Sequence, residues 1–426
     1  MRYSRGMNIY FSGIGGVAIG PLAELAHDAG HNVQGSDAHS SLETSELMQR
    51  GIVVTDDQSG DYLEYCHRLH HIDWFIYTAA LPADHPELVR ARKLGIYTAK
   101  RDELLRYVMS EKNLKMIAVA GTHGKTTTTG MMIWVLRQLG VPISYSIGTT
   151  ISFGPSGHYA PNSQYFVYEC DEFDRNFLHF SPYISLITSI DYDHPDTYPT
   201  QASYTRAFQQ FLGQSELSIL WKKDTLTGLE PVNQSWVLKD EEVKSFRIPG
   251  WHNRANATLV AKVCERLKLG NADIIKTAIE NFPGTQRRFE RLAPGLYSDY
   301  GHHPTEIYAT LQMAHEISRE ITLVYQPHQN VRQHEIQSMY TNEVFRYADS
   351  IYWLPTYLTR ENPSLSILRP MDLTRNINSS KLHFAELNDA LWRSITLDRE
   401  LGKLVLCMGA GTIDEWLRQH LKIQNT

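Results

Sequence analysis

The segment GTHGKTTTT, Gly121–Thr129, carries the clearest chemical signal in the sequence, between an apolar stretch and an amphipathic one. Backbone amides in such a strand–loop–helix turn point toward phosphate oxygens, and the helix N-terminus adds a partial positive charge. In this setting Lys125 reaches the β- and γ-phosphates of a nucleotide, and the Thr126 hydroxyl binds Mg²⁺. Val119 stands where the usual pattern has its first glycine. The residue order still predicts a nucleoside-triphosphate loop rather than an ordinary turn.

Two acidic segments follow apolar stretches further along the chain. Their ionisable side chains are Glu169, Asp171, Glu172 and Asp174 in YECDEFD, and Asp191, Asp193, His194 and Asp196 in SIDYDHPDTY. Carboxylates and an imidazole at neighbouring strand ends can hold a divalent cation beside a nucleotide. Either segment alone is explained as well by solvated loop acids. Next to a phosphate loop on the same sheet, we expect one or two of these groups to bind the metal.

A second glycine motif lies near the N-terminus. The segment FSGIGGVAIG, Phe11–Gly20, fits the dinucleotide pattern G-x-G-x-x-[GA] through Gly13, Gly15 and Ala18. Asp37 follows at about the 20-residue spacing of that pattern. The motif indicates a pyrophosphate near a helix N-terminus but does not select the nucleotide. A nicotinamide dinucleotide is one interpretation, and a nucleotide-sugar diphosphate such as a UDP group is another.

Basic and imidazole groups cluster in the last third of the chain. The candidates are Arg287 and Arg288 in GTQRRFE, Asp299, Tyr300, His302 and His303 in DYGHHPTE, and His328 and Arg332 in QPHQNVR. An arginine close to a γ-phosphate stabilises the charge that develops during transfer. Any one of these residues alone is more simply structural. Their shared position after predicted strands favours a common site.

Apolar and amphipathic stretches alternate along the chain, and the alternation restarts after Ser110–Lys115 and again near Pro283–Gln286. Alternating strands and helices predict doubly wound parallel sheets, in which ligands bind at the carboxyl ends of the strands. Residues 201–249 are less regular and predict a small appended region. A length of 426 residues agrees with three domains. The sequence therefore predicts an α/β protein of three domains.

Composition disfavours several classes of protein. Lys+Arg 41 against Asp+Glu 47 gives a net charge of −6, which disfavours broad nucleic-acid binding. No apolar run approaches the roughly 18 residues of a transmembrane helix, so no membrane insertion is expected. The four cysteines lie far apart without a CxxC pair, which predicts neither a zinc site nor a disulfide framework. A reducing cytoplasmic location is the simplest expectation.

Taken together, the motifs resemble those of the Mur ligases, the ATP-dependent amide-forming enzymes of peptidoglycan precursor synthesis. The resemblance extends from the first glycine motif to GAG at Gly409–Gly411. The motifs occur in family order: GSD at Gly35–Asp37, GTHGKTTTT, E-x-DE at Glu169–Glu172, DHPDTY at Asp193–Tyr198, HNxxNA at His252–Ala257, RRF at Arg287–Phe289, DYGHHPTE at Asp299–Glu306 and QPH at Gln326–His328. So many motifs in one order make chance agreement implausible.

The resemblance implies a Rossmann-like UDP-binding domain at residues 1–113, a central P-loop ATPase-type parallel sheet at 114–284, and a Rossmann-like amino-acid-binding domain at 285–426. The UDP group would contact Gly13, Ile14, Gly15, Gly16, Ser36 and Asp37. ATP would contact Gly121, Thr122, His123, Gly124, Lys125, Thr126 and Thr127, with His252 and Asn256 at the adenine, Asp299 at the ribose and Arg288 at the γ-phosphate. Mg²⁺ would be bound by Thr126, Glu169 and His194, and the amino acid by Tyr300, His328 and Arg332. The catalytic residues would be Lys125, Glu169, His194 and Arg288.

Within the family, His123 is similar to both the L-alanine branch and the recycling branch. The sequences DYGHHPTE, QPHxxxR and DEFDRNFL favour the first, which joins L-alanine to UDP-N-acetylmuramate, at its lactyl carboxylate and through an acyl phosphate. The recycling branch, which joins a murein tripeptide, is the alternative. The resemblance also implies ATP and Mg²⁺ as cofactors, no nucleic-acid partner, and a monomer or weak dimer. Three departures from the family pattern are Cys170 in place of alanine, Gln329 in place of arginine, and a short segment between Tyr198 and Gly250.

Two alternatives come from other classes of protein. A nicotinamide-dependent oxidoreductase would use Gly13–Ala18, but the second nucleotide loop and the lack of any other redox motif disfavour it. A non-catalytic nucleotide-binding regulator is disfavoured by the joint presence of the four expected catalytic residues.

Overall fold

The computed structural model describes residues 6–78, 81–194, 197–225, 228–232, 234–359 and 361–424, and Asp196 of the second acidic segment lies outside them. The described residues fold into helices around three sheets in which parallel pairing dominates. The predicted α/β class is therefore confirmed. Among these residues, no helix is both long and apolar enough to cross a lipid bilayer. The chain divides into two compact units, Met1–Lys244 with Asn256–Pro283 and Ser245–Ala255 with Gly284–Thr426.

The first sheet is entirely parallel. Its strands are β1 Asn8–Ser12, β2 Asn32–Ser36, β3 Val53–Thr55, β4 Trp74–Tyr77 and β5 Tyr97–Lys100. Its helices are α1 Gly20–Asp28, α2 Leu42–Gln49, α3 Asp61–His70, α4 Pro86–Lys93 and α5 Arg101–Glu111. The strand order β3-β2-β1-β4-β5 reverses direction beside β1. Open α/β sheets bind ligands at such a reversal, and the first glycine motif follows β1 directly.

The second sheet has the order β12-β11-β10-β6-β9-β7-β8. Its strands are β6 Lys115–Ala120, β7 Ile143–Ser146, β8 Gly157–His158, β9 Tyr165–Glu169, β10 Ile184–Ile187, β11 Leu217–Trp221 and β12 Ser235–Leu238. The helices along this part of the chain are α6 Lys125–Gln138, α7 Gln201–Gln214, α8 Lys222–Thr225, α9 Trp251–Arg266 and α10 Ala272–Glu280, with short 3-10 turns at Phe173–His179 and Asp240–Glu242. Only β8 pairs antiparallel among these strands. The phosphate loop therefore follows β6, and the first acidic segment follows its neighbour β9.

The prediction of an appended region at residues 201–249 is wrong. The segment supplies α7 and the strands β11 and β12, and β11 pairs in parallel with β10. All five residues of β11 are buried. A short continuous apolar run is typical of a strand covered on both faces, and here it stands between polar stretches that obscure it in the sequence.

The third sheet has the order β13-β14-β18-β15-β16-β17. Its strands are β13 Glu290–Ala293, β14 Leu296–Asp299, β15 Ile321–Tyr325, β16 Ser350–Trp353, β17 Leu382–Phe384 and β18 Leu404–Met408. Its helices are α11 Pro304–Ile317, α12 Asn330–Ile336, α13 Pro370–Leu373, α14 Asp389–Glu400 and α15 Ile413–Gln424, with 3-10 turns at Gln337–Met339 and Ser379–Lys381. One apolar cluster lies on each face of this sheet, so the sheet is covered on both sides.

The first and second sheets share one apolar core within the first unit. Buried residues of β1 and α1 belong to the same cluster as buried residues of β6, β9 and α7. Ile9 and Phe11 of the first sheet and Ala118 and Phe166 of the second are all 0% exposed in it. The two glycine-bearing loops therefore stand on sheets that are packed together.

Gly157 in β8 packs against the start of α1. A Cβ atom added at Gly157 would lie 1.7 Å from the carbonyl oxygen of Pro21. The Gly157 amide donates to Glu24 Oε2 at 2.7 Å, and His158 Nδ1 lies 2.7 Å from Asp28 Oδ2. Only glycine permits two backbones to approach so closely. A strand of the second sheet is thus held on a helix of the first.

We expect Gly157→Ala to lower the free energy of unfolding by about 1–3 kcal/mol, because backbone must shift to admit the methyl group. Urea denaturation followed by tryptophan fluorescence measures the change. Gly213→Ala is the matched control, since Gly213 is exposed on α7 and an added Cβ meets nothing within 4 Å. Alanine there should stabilise the protein by up to about 1 kcal/mol. Equal changes in the two variants would contradict the close approach.

Candidate active site

Glycines shape the phosphate loop between β6 and α6. Gly121 has φ +129° and Gly124 has φ +85°, in the left-handed region that glycine adopts at little cost. A Cβ at Gly121 would lie 2.4 Å from Thr188 Oγ1, and one at Gly124 would lie 2.9 Å from Asn256 Nδ2. The predicted adenine residue Asn256 therefore lies against the loop. Of the other predicted ATP-binding residues in the loop and first helical turn, four are partly exposed: Thr122, His123, Lys125 and Thr127. Thr126 is buried between two of them.

Lys125 occupies the centre of the loop in a buried ion pair. Its Nζ donates to the two oxygens of Glu172 at 3.0 and 2.8 Å, and to the Gly121 carbonyl oxygen at 2.6 Å. Glu172 is 0% exposed. Burial opposes the charged lysine, but the carboxylates of Glu172, Asp171 and Glu169 together outweigh burial and raise the pKa of Lys125. The ammonium is therefore charged at the position where a triphosphate would meet it.

Thr126 and Glu169, two of the three predicted Mg²⁺ ligands, lie in contact. The Thr126 hydroxyl donates to Glu169 Oε1 at 2.5 Å, and the Gly148 amide donates to Oε2 at 2.8 Å. Mg²⁺ prefers oxygen ligands and keeps several waters. A hydroxyl and a carboxylate at the end of a strand, beside a phosphate loop, are a donor set that fits this ion.

His194 connects the second acidic segment to the loop. Its Nε2 lies 3.7 Å from Glu172 Oε1 and 3.8 Å from Asp193 Oδ2, and its ring packs edge-on against Phe173 at 5.3 Å. The structure thus places His194 beside the carboxylate that holds Lys125. Its role as a metal ligand stays a prediction.

The side of the loop that faces β10 is fixed by hydrogen bonds. Thr188 Oγ1 donates to the carbonyl oxygen of His123 at 2.5 Å, and His123 Nε2 lies 3.3 Å from Asp191 Oδ2. The Thr122 hydroxyl lies 2.7 Å from the Asp191 carbonyl oxygen and 2.8 Å from Tyr204 Oη. These contacts fix the conformation of the loop.

Hydrogen bonds to the end of β2 fix the conformation of the first glycine motif, which follows β1. The amides of Gly13 and Ile14 donate to the Ser36 carbonyl oxygen at 2.8 and 2.9 Å, and the Gly15 amide donates to Asp37 Oδ2 at 2.8 Å. Gly16 donates back to the Gly13 carbonyl oxygen at 3.1 Å. The predicted UDP residues are therefore brought together.

Two details of this motif bear on its ligand. Asp37 Oδ1 accepts from the His39 amide at 3.1 Å, so both oxygens of Asp37 already accept from backbone amides. These bonds fix the Asp37 side chain beside the glycine loop. The Ser36 hydroxyl is fully buried and donates to Glu87 at 2.8 Å, which leaves only the Ser36 backbone at the loop.

Sequence reasoning missed several residues that the fold brings to this part of the first unit. Glu87 in α4 is one of them. At the start of α5, Asp102 Oδ2 lies 2.9 Å from His179 Nδ1 and Arg101 Nη2 lies 3.9 Å from Asp171 Oδ2. In the sequence, Glu87 and Asp102 are distinguished only as acids in the first turn of a helix. Many helices share that feature, so it does not indicate a site.

In the second unit, Asp299 ends β14 with its carboxylate already bound. It is 7% exposed, and its oxygens accept from the amides of Gly301 and Phe289, each at 2.7 Å. Burial raises the pKa of Asp299 to about 6, although Arg288 acts in the opposite direction. The carboxylate thereby fixes the segment that carries Arg288, whose guanidinium lies 5.2 Å from the Tyr300 ring centre. Its contact with a ribose stays a prediction.

The three predicted amino-acid residues surround His302. The His302 ring lies 5.8 Å from the ring of Tyr300 and 5.5 Å from that of His328. Arg332 donates to His302 Nε2. Burial lowers the pKa of His302 to about 4, so the imidazole is neutral at pH 7 and accepts that hydrogen bond. Tyr300, His328 and Arg332 therefore do lie together, at the ends of β14 and β15.

His252, at the start of α9, has an unsatisfied buried nitrogen. No hydrogen-bond partner for its Nδ1 occurs in the part of the chain that the structure describes. Burial lowers the pKa of His252 to about 4. A buried polar atom without a partner is uncommon in proteins. The contact of His252 with adenine stays a prediction. His252 belongs to the second unit and Asn256 to the first.

The segment before His252 is anchored to α11 by one acid. Glu316 accepts from Arg254 Nη1 at 2.8 Å and Nη2 at 3.0 Å, and from the Gly250 amide at 2.9 Å. The hydrogen bonds from Arg254 lower the pKa of Glu316 to about 2. A carboxyl whose pKa is lower in the folded state stabilises the fold above its unfolded value of roughly 4.3, and this stabilisation is lost as pH falls toward 2.

We therefore expect Glu316→Gln to destabilise the protein at pH 7 and to do so roughly half as much near pH 3. Denaturation of the variant and the unaltered protein at both pH values measures the difference. Glu386→Gln is the control, because Glu386 is exposed in the same unit. A penalty for Glu316→Gln that does not change with pH would contradict the ion pair as its cause.

Parallel sheets, a Gly-Lys-Thr phosphate loop with carboxylates at adjacent strand ends, and a second glycine loop define a nucleotide-binding enzyme of the α/β class. Comparisons with known families are more specific. Residues 8–113 match the Mur ligase family, catalytic domain, and residues 119–230 match the Mur ligase middle domain.

Two curated relatives are both described as UDP-N-acetylmuramate–L-alanine ligase. The protein from Desulfosudis oleivorans is 33% identical over 402 residues, which cover 85% of this chain and 86% of the relative. The protein from Carboxydothermus hydrogenoformans is 30% identical over 450 residues, which cover 96% and 94%. The chain therefore belongs to the Mur ligase family.

Solved structures show the same fold. UDP-N-acetylmuramate-alanine ligase from Thermotoga maritima matches with a TM-score of 0.77 at 24% identity, over 98% of this chain and 99% of that one. A murein peptide ligase from Psychrobacter arcticus matches with a TM-score of 0.67 at 21% identity, over 98% of each chain.

Proposed function

We propose that this protein is an ATP- and Mg²⁺-dependent ligase that joins L-alanine to the lactyl carboxylate of UDP-N-acetylmuramate, in peptidoglycan precursor synthesis. The observation that carries the proposal is the charged Lys125 in a phosphate loop shaped by glycines. A relative described as UDP-N-acetylmuramate–L-alanine ligase is 33% identical to this chain over 402 residues, which supports the choice of substrates. We further propose that it acts in the cytoplasm, which agrees with four free, buried cysteines.

The proposed reaction starts from a poor electrophile. A carboxylate repels nucleophiles and has no good leaving group, so ATP first transfers its γ-phosphoryl group to an oxygen of the lactyl carboxylate, and ADP leaves. The amine of L-alanine then attacks the acyl phosphate, and inorganic phosphate leaves. Phosphoryl transfer is governed by positioning and by charge stabilisation, which explains why the site collects cations.

Lys125 supplies one of these cations. Its contacts with Glu172 keep the ammonium oriented over the loop, and a bound triphosphate would share it. Mg²⁺, held by Thr126, Glu169 and His194, would neutralise further phosphate charge. Arg288 would stabilise the γ-phosphate during transfer, as the family resemblance implies.

The cluster around His302 is the proposed L-alanine subsite. Arg332 offers a guanidinium to the amino-acid carboxylate, and Tyr300 and His328 border the same space. While Arg332 donates to His302 Nε2, that nitrogen cannot take a proton from the amine. A role for His302 as proton acceptor therefore requires Arg332 to turn to the substrate first.

We assign the three tasks to the predicted ranges 1–113, 114–284 and 285–426. Each sheet lies within one of these ranges. In this assignment Gly13–Gly16 and the backbone at Ser36 and Asp37 receive the UDP group, and the phosphate loop receives ATP together with His252, Asn256 and Asp299.

The decisive assay measures phosphate release and product formation with ATP, Mg²⁺ and UDP-N-acetylmuramate. L-Alanine, glycine, L-serine and the murein tripeptide L-alanyl-γ-D-glutamyl-meso-diaminopimelate are compared as acceptors. We expect turnover with L-alanine and little with the tripeptide. Turnover with the tripeptide alone would favour the recycling activity, which the Psychrobacter arcticus structure keeps as the second candidate. No turnover with any acceptor would overturn both.

A further inference from the structure

A buried carboxylate lies below the carboxyl end of the first sheet. Glu87, in the first turn of α4, is 0% exposed. Charged side chains are almost never fully buried without partners. The ligase chemistry proposed above does not use Glu87, so its burial needs another explanation.

Three hydroxyl groups surround this carboxylate. Glu87 Oε1 accepts from Tyr10 Oη at 2.8 Å, and Oε2 accepts from Ser12 Oγ at 2.6 Å and Ser36 Oγ at 2.8 Å. Burial and the adjacent Glu87 raise the pKa of Tyr10, so the phenol stays protonated and donates. His85 Nδ1 lies 4.0 Å from Oε2.

The three hydroxyls come from the two strands that carry the first glycine loop. Ser12 is the last residue of β1, directly before Gly13, and Ser36 is the last residue of β2, directly before Asp37. Glu87 therefore links the two strand ends through a single oxygen atom.

The shape of the glycine loop depends on those same strand ends. The Ser36 carbonyl oxygen accepts from the amides of Gly13 and Ile14, and Asp37 accepts from the amide of Gly15. A shift of β2 relative to β1 would move all three loop amides at once. These three amides already donate within the protein, so they set the shape of the loop that leads to the helix N-terminus, where a phosphate would bind.

We propose that Glu87 is a positioning residue for the nucleotide-diphosphate end of the first sheet, holding Ser12 and Ser36 so that the glycine loop keeps the shape that receives the ligand. This inference rests on the proposed function for the identity of the ligand, a nucleoside diphosphate. It assigns Glu87 an effect on affinity at that end and none on the phosphoryl-transfer step.

The test uses Glu87→Gln in the full chain. Glutamine keeps the volume but has one acceptor oxygen, so it cannot accept from hydroxyls on both sides. We expect the Kd for UDP alone, measured by calorimetry, and the KM for UDP-N-acetylmuramate to rise about tenfold, by analogy with the loss of an outer-shell partner at a metal site. We expect kcat and the KM for ATP to change less than about twofold. Glu46→Gln, an exposed acid on α2, is the matched control.

The outcomes separate the inference from the proposed function. An unchanged Kd for UDP in Glu87→Gln, with only a lower melting temperature, would overturn the inference. If that variant does not fold, Ser12→Ala and Ser36→Ala should each weaken UDP binding, and unchanged binding in both would overturn it instead. Weaker UDP binding in a protein that ligates no acceptor would support the inference and sink the proposed function. Failure of the unaltered protein to bind UDP would overturn both.

Discussion

Lys125→Ala should lower kcat for ligation at least about 10³-fold, because the ammonium meets the phosphates that carry charge during transfer. A coupled assay of phosphate release with saturating substrates measures the loss. The variant should also be less stable by about 3–5 kcal/mol, since removing one partner of a buried ion pair leaves Glu172 unpaired.

A double variant separates these two effects. Lys125→Ala with Glu172→Gln removes both charges and should recover most of the stability while the activity stays lost. Lys276→Ala is the matched control, because Lys276 is exposed on α10 beside Glu280 at 4.0 Å. Such a surface pair contributes less than about 1 kcal/mol. Normal ligation by the Lys125→Ala variant would sink the assignment of the phosphate loop.

Glu169→Gln should lower kcat roughly 10²-fold and raise the Mg²⁺ concentration needed for half-maximal activity. The neutral amide keeps one acceptor oxygen for the Thr126 hydroxyl or the Gly148 amide but no longer attracts a divalent cation. Activity measured over a series of Mg²⁺ concentrations, at fixed ATP, resolves the two changes.

UDP binding gives this prediction an internal check. Because the first glycine loop belongs to the first sheet, the Kd for UDP should be the same in Glu169→Gln and in the unaltered protein. Glu216→Gln, an exposed acid before β11, should match the unaltered protein in every measurement. A lower kcat without any change in the Mg²⁺ requirement would argue that Glu169 does not bind the metal.

The features that sequence reasoning predicted are local ones. The phosphate loop, with Lys125 and Thr126 in adjacent positions, needs only a strand, a few glycines and a helix, and all of these lie within one short segment. Alternating apolar and amphipathic stretches likewise predicted parallel sheets, because each strand and helix carries its own periodicity.

The features that it missed depend on pairing between distant segments. Lys125 and Glu172 are 47 residues apart, and Glu87 is 75 residues from Ser12. Nothing near Glu87 in the sequence distinguishes it from a solvated acid on a helix. Likewise, the apolar run of β11 has a meaning only once β10 lies beside it. Such contacts follow from the three-dimensional arrangement of the sheets, and local sequence patterns do not reveal that arrangement.

The core shared by the first two sheets has a consequence for cooperativity of unfolding. Its members come from β1 and α1 on one side and from β6, β9 and α7 on the other, so neither sheet can lose its packing without exposing apolar surface of its neighbour. A fragment of residues 1–113 alone would present that surface to water and would tend to aggregate. The two sheets should therefore melt in a single transition, and substitutions such as Gly157→Ala in one should lower the melting temperature of both.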